Sequence, residues 1–359
     1  MGWRDIVTIS TQASIMFKLK HLAIIEGVII LLLLGIVIKT THDTKRETLQ
    51  GYPVPVNNIG LLSPRVYSKI LEPGSLTLIN FAQLRKSIAD YITKSDLNAA
   101  VYVENFKSGA SFGINERKGY SPASLSKVLI AIFIMKKVEK KELSLDTMID
   151  INESDRTESA GTLYLRLEKK LSLRVLLRYM LNESDNTALK TLERYTSQDD
   201  RVFVMNYIGY YGTEGYENSL MSEDNNASLV TPKLMYNIFS SLYLSSILQP
   251  EHSEFILSAL VDTVLDINKI AGLPDTVVVA HKFGSRYTEN RKFFHDCGIM
   301  YIRPKNMRLF YCIMTKDLDK VKAVDTIGLI VHAIYSYSVD LRDKFDYYRA
   351  KLYEIDAVK

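Results

Sequence analysis

The stretch Leu171-Ser-Leu-Arg-Val-Leu-Leu-Arg-Tyr-Met-Leu-Asn-Glu-Ser184-Asp185-Asn186-Thr187-Ala188 decides how the rest of the chain is read. Leu173, Leu176, Leu177 and Met180 recur at helical spacing and form one apolar stripe, with Ser172 suited to cap the first free amides. The stripe ends in a polar triplet, Ser184-Asp185-Asn186, whose residue types prefer a capped turn between two helices. Working outward, the upstream partner is Ser124-Leu125-Ser126-Lys127. At spacing i, i+3 a helix sets the hydroxyl and the amine on one face, close enough to hydrogen-bond. A serine becomes a nucleophile when a neighbouring base takes its proton, and a lysine serves as that base when burial lowers its pKa. Residues 128–134 supply the burial, since they are apolar on every face, as in a helix at a domain centre. The downstream partner is Leu273-Pro-Asp-Thr-Val-Val-Val-Ala-His-Lys282-Phe283-Gly284-Ser285. A lysine on a strand, with glycine two residues later, lets a ligand lie close against the strand backbone.

The chain around these motifs is a globular one. It has 359 residues, 47% hydrophobic and 24% charged, with 17 Gly and 9 Pro, which excludes a disordered or collagenous polymer. A formal charge of +4 without a dense basic patch gives no case for nucleic-acid binding. Its 6 histidines lack metal-ligand spacing and its 2 cysteines form no Cys-x-x-Cys, so neither a metal nor a cofactor is implied.

Along the chain, Phe81, Leu84, Ile88, Tyr91 and Ile92 share one helical face, and strand-like runs at 99–106 and 111–115 flank Ser108-Gly109, as in a hairpin. Helical patterns dominate from about 125 to 270. Strands return at 276–280, 298–302 and 308–314, before a helix with Val324, Ile327, Val331 and Ile334 on one face. This order implies an α+β domain whose sheet is assembled from both ends of the chain.

Residues 22–38 are apolar apart from Glu26, long enough at the helical rise to cross a bilayer core. An uncleaved anchor fits better than a cleaved signal, for which no small-x-small site follows, or a core helix, since charges crowd both ends. Arg4, Lys18 and Lys20 before the run balance Lys39, Lys45 and Arg46 after it, so the flanking charges do not orient it. The resulting organisation is an N-terminal tail at 1–21, the anchor at 22–38, a Pro/Gly/Asn-containing linker at 39–78, a catalytic domain at 79–339 and a charged C-terminal extension at 340–359.

Taken in order, Ser-x-x-Lys, Ser-Asp-Asn and Lys-x-Gly resemble the active-site set of the serine β-lactamase and penicillin-binding protein superfamily, and the wording around them is most like class A β-lactamases. His295-Asp296-Cys297-Gly298-Ile299-Met300-Tyr301 and Leu143-Ser-Leu-Asp add to the likeness, which covers roughly residues 79–338. The resemblance implies a β-lactamase/transpeptidase-like fold: an antiparallel sheet flanked by helices, an all-helical subdomain and here an N-terminal transmembrane helix. It makes Ser124 the acylated nucleophile and Lys127 its proton acceptor. Ser184 passes the proton to the leaving nitrogen, and Lys282 holds that hydroxyl and attracts the substrate carboxylate. Asn186 contacts the acyl side chain, Gly284 adjoins the bound substrate, and the backbone amides of Ser124 and Ser285 form the oxyanion hole. Two positions depart from the pattern. Phe283 stands where the family has a hydroxyl, with Ser285 or Arg286 as substitutes. The deacylating glutamate is assigned to Glu214, through the spacing Glu214-Gly-Tyr-Glu-Asn218, although Gly215 replaces the family's proline and Glu217 is a rival.

The expected protein is a monomeric, single-pass membrane enzyme with its catalytic domain outside the cytoplasm, opening a β-lactam through an acyl-serine, the chemistry of antibiotic resistance. A D-Ala-D-Ala peptidase acting on cell-wall peptides and a catalytically silent sensor domain are the alternatives. Cys297 and Cys312 fall on adjacent antiparallel strands and face one another if the turn centres on Pro304-Lys305, either as a disulfide or as two buried thiols.

Overall fold

A computed structural model describes residues 60–63, 80–209, 229–261, 263–289, 291–303 and 306–356, with side chains through residue 341. The chain divides into two compact units, and every described residue belongs to the second, residues 59–67 and 73–359. The expected anchor, the N-terminal tail, most of the linker, and Glu214, Glu217 and Asn218 lie outside the described residues. Among those described, no helix is long and apolar enough to cross a membrane.

The domain begins with helix α1 (Ala82–Lys94), whose Leu84, Ile88 and Ile92 are buried at helical spacing. Strands β1 (Ala99–Asn105) and β2 (Ser111–Ile114) then form the expected hairpin, where Gly109 adopts φ +71°, a conformation that costs glycine little. The middle of the chain holds α2 (Ser126–Glu139), α3 (Leu173–Asn182), α4 (Asn186–Glu193), α5 (Gln198–Tyr207), α6 (Pro232–Tyr243), α7 (Pro250–Ala259) and α8 (Ile267–Ala271). Two short strands interrupt this helical region, β3 (Met148–Asp150) pairing antiparallel with β4 (Lys170–Ser172). The sequence reading missed them because three residues are too few to carry a period. The chain closes with β5 (Val277–Thr288), β6 (Arg291–Ile302), β7 (Met307–Lys316) and α9 (Lys320–Asp356).

The main sheet has the order β2-β1-β7-β6-β5, all antiparallel, so strands from both ends of the chain meet where β1 pairs with β7. Alternation decides what each face covers. Val101 and Val103 pack with α1 and with Ile327, Val331 and Ile334 of α9, whereas Ala100 and Tyr102 join the core built around α2, α3 and α6. With both faces buried, these strands read as nearly continuous apolar runs. β5 and β6 extend further than expected because their tips carry polar residues 285–292, which lack the apolar signal that marked the rest.

The β6–β7 register, which pairs Ile302 with Met307, sets Cys297 opposite Cys312. The two are joined as a disulfide, which resolves the alternatives that the sequence left open. Helix α2 explains its composition: every residue from Lys127 to Met135 is buried, so no face is left for solvent. In α3, burying each of Leu173, Leu176 and Leu177 contributes roughly 2 kcal/mol, and a charge at any of them would separate the helix from the core.

Candidate active site

Three separate elements converge on one amine. Ser124 lies in a 3-10 turn, Ala123–Leu125, immediately before α2, rather than in the helix itself. The preceding Ala123 has φ +46°, a strained value for a residue with a side chain, held by the packing around the turn. Lys127, in the first turn of α2, reaches back so that its Nζ lies 3.1 Å from Ser124 Oγ. The same Nζ is 3.1 Å from Ser184 Oγ and donates to the Ser184 carbonyl oxygen at 2.5 Å and to Asn186 Oδ1 at 2.6 Å.

Ser184 is held by the turn between α3 and α4. It sits at φ +57° and is buried, and Asp185 behind it fastens the turn. Asp185 Oδ1 accepts from the Ala188 amide, capping α4, and Oδ2 accepts from the Leu163 amide, both at 2.8 Å. Asn186 is fixed from both ends, since its Nδ2 also donates to Ser159 Oγ at 2.7 Å.

Burial sets the electrostatics. Lys127 is 1% exposed, and burial pushes its amine down from 10.5 to about 8, with Asp185 and then Glu193 pulling the other way. Lys282, on the edge strand β5, is fully buried and its amine is held well below the ordinary lysine value, first by burial and then by the charge of Lys127, with Asp296 opposing. Its Nζ donates to the Phe283 carbonyl oxygen at 3.0 Å and lies 4.1 Å from the centroid of the Phe283 ring. The expected role of Lys282, holding the Ser184 hydroxyl, is therefore not the contact it makes here.

Gly284 also differs in detail from expectation. A Cβ built there would meet the Pro122 carbonyl oxygen at 2.9 Å and the Ser124 nitrogen at 3.2 Å. The glycine thus admits the chain's own nucleophile turn against the strand. Ser285 follows on the exposed part of β5, opposite Phe294. Glu214 lies outside the described residues.

Residues 83–338 match the family described as the beta-lactamase enzyme family, well over half of the chain. The chain belongs to that family. Membership makes it a serine hydrolase of the β-lactamase type. It is 26% identical over 259 residues to a beta-lactamase of Phocaeicola vulgatus, covering 67% of this chain and 79% of that protein, and 24% identical over 242 residues to one of Bacteroides uniformis, covering 62% and 79%. The TLA-3 extended-spectrum beta-lactamase shares the fold, with a TM-score of 0.64 at 22% identity over 72% of this chain and 100% of that one. PBP-A does so with a TM-score of 0.62 at 19% identity, over 72% and 97%.

Within this β-lactamase-family site, sequence reasoning passed over several supports. Ser159 carried no signal, being one serine in a polar loop. Gly161, at φ +86°, would place a Cβ 2.0 Å from Asp185 Oδ2, so it exists to let the loop close on that carboxylate. His295 links the centre of β6 to the segment before the nucleophile. Its Nε2 donates to the Ser121 carbonyl oxygen at 2.9 Å, and its Nδ1 accepts from the Thr315 amide at 3.3 Å. That arrangement needs a neutral ring, and burial lowers its pKa from 6.5 to about 4.

Proposed function

We propose that the protein hydrolyses β-lactams through an acyl-enzyme on Ser124, in the manner of class A β-lactamases. One observation carries the mechanism: Lys127 Nζ stands 3.1 Å from both the Ser124 and the Ser184 hydroxyl oxygens. A single amine between two hydroxyls is the geometry of a proton relay. In its neutral form Lys127 takes the Ser124 proton as Oγ bonds to the lactam carbonyl carbon, and the carbonyl electron pair moves onto oxygen. The oxyanion is stabilised by the Ser124 and Ser285 amides. Collapse breaks the C–N bond; Ser184 gives its proton to the nitrogen and regains one from Lys127. Water, activated by Glu214, then cleaves the ester and frees Ser124.

The apolar run 22–38 supports placing the enzyme as a single-pass protein with its catalytic domain outside the cytoplasm, where β-lactams and cell-wall peptides are met. The test uses the full-length chain in detergent, a chromogenic cephalosporin and a fluorescent penicillin, following turnover and covalent mass together. Turnover that disappears in Ser124→Ala is the expected result. A stable adduct without turnover identifies a penicillin-binding peptidase or sensor, and no adduct on folded protein removes the hydrolase reading.

A further inference from the structure

The C-terminal end of α9 has no part in the roles described so far. The helix runs 37 residues, about 55 Å, whereas β5 and β6, at 12 residues each, span about 40 Å. Its first half covers the sheet, burying Ala323, Ile327, Ile330, Val331, Ile334 and Ser338. The family match ends at residue 338, and the helix continues past it to Asp356. The chemistry at Ser124 does not account for that continuation.

The sequence of this stretch is layered around the helix axis. Leu341, Phe345, Tyr348, Leu352 and Ile355 recur at alternating spacings of four and three, which gathers them within about 80° of arc. Arg342 and Arg349 border this face on one side, Lys344 and Lys351 on the other. Asp343, Asp346 and Glu354 fall on the opposite face, with Asp340 and Asp356 at the two ends of the segment. An apolar face bordered by long cationic residues, with acids behind, is the pattern of a helix lying in the plane of an anionic bilayer. The apolar face enters the acyl boundary while Lys and Arg reach the headgroups. The same spacing can form a coiled-coil seam, but the flanking charges oppose a second copy. Two parallel copies would set Lys344 of one beside Arg349 of the other, and antiparallel copies would bring basic flank against basic flank.

We propose that residues 341–355 dock as an interfacial helix on an anionic bilayer surface, holding the catalytic domain against the membrane. This is independent of the hydrolase reading. It adds a second membrane contact to the one proposed for the run 22–38, and experiment can tell the two apart. Leu352→Cys and, on the opposite face, Ala350→Cys each give the full chain one free thiol, because Cys297 and Cys312 are bonded to each other. A fluorophore on that thiol is read in vesicles of phosphatidylcholine alone and of phosphatidylcholine with about one third phosphatidylglycerol, with spin-labelled lipid as the quencher.

The expected result is that lipid quenches the label at 352 and not the label at 350, and does so in the phosphatidylglycerol vesicles. Docking of the extension should weaken about tenfold or more when Arg349→Glu and Lys351→Glu are added, and should weaken likewise as salt is raised. An unquenched label at 352, equal quenching at both positions, or equal quenching in both lipids overturns the proposal. A disulfide formed between the 352 thiols of two chains, with no quenching by lipid, overturns it in favour of a second copy. Flotation of the same samples separates the two membrane contacts. A chain that floats with either lipid while its 352 label stays unquenched keeps the anchor and loses the docking helix. One that floats only with phosphatidylglycerol, its 352 label quenched, keeps the docking helix and loses the anchor.

Discussion

Replacing Lys127 with methionine should remove acylation and yet make the protein more stable at neutral pH. The amine is 1% exposed and its pKa is lowered from 10.5 to about 8, chiefly by burial. A depressed value means that the folded state releases the proton more readily than the unfolded chain. Stability is therefore lost progressively as pH falls from about 10.5 to about 8, stays at that lower level below about 8, and recovers fully only above 10.5. At about 1.4 kcal/mol per pH unit, burying the charge costs about 3 kcal/mol near pH 7. Methionine removes that cost but leaves the Ser184 carbonyl and Asn186 Oδ1 without their donor, held now at 2.5 and 2.6 Å. Each buried acceptor left unpaired costs about 1 kcal/mol. The net effect is a gain of about 1 kcal/mol near pH 7, or about 2–4 °C in Tm for a domain of this size. Near pH 9.5 the folded amine is already neutral and most of the cost of burial is gone, so the unpaired acceptors outweigh it and the variant should be slightly less stable than its parent. Calorimetric unfolding of both proteins across that range, with the mass of any penicillin adduct measured in parallel, checks the sequence of effects. A variant destabilised at pH 7, or a difference that does not change with pH, would refute the buried-amine argument.

Acylation of Ser124 should rise about tenfold per pH unit below about 8 and level off above it, because the neutral form of Lys127 is the base; stopped-flow acylation across the range reads this directly. Gly284→Ala should slow acylation about tenfold or more and cost about 1–3 kcal/mol, since its Cβ would meet two backbone atoms of the nucleophile turn that have no room to yield; acylation kinetics and Tm measure the two effects. Gly161→Ala, at φ +86° and against Asp185, should cost about 3 kcal/mol or more and release the turn that carries Ser184, seen as a lower denaturation midpoint.

Much of the domain was legible because its signals are local. The stripe Leu173, Leu176, Leu177 and Met180 becomes a buried helix face with Ser172 Oγ accepting from the Val175 amide, and the Ser-Asp-Asn triplet becomes the capped turn its residue types favour. That Cys297 and Cys312 face one another was legible by counting out from an assumed turn centre, since register is arithmetic, whereas their being bonded rather than two thiols was not. What stayed hidden depends on long-range proximity. Nothing local to Gly161 says that Asp185, far along the chain, will press against it. Nothing in Lys282-Phe283 says that the ring will hold the amine beside it. The positive φ values at Ala123 and Ser184 are likewise imposed by packing, on residue types that would not choose them.

His295 works as a latch with an acid release. With one nitrogen fastened to the carbonyl of Ser121 and the other receiving the Thr315 amide, the ring ties the approach to the nucleophile into the middle of the sheet. A second proton would set two N–H groups head to head, so the folded form refuses it until pH nears 4, whereas the unfolded chain accepts it from about 6.5 downward. Over that interval acidity draws the molecule toward unfolding through this one imidazole. A descendant suited to sour surroundings would have cause to replace it first.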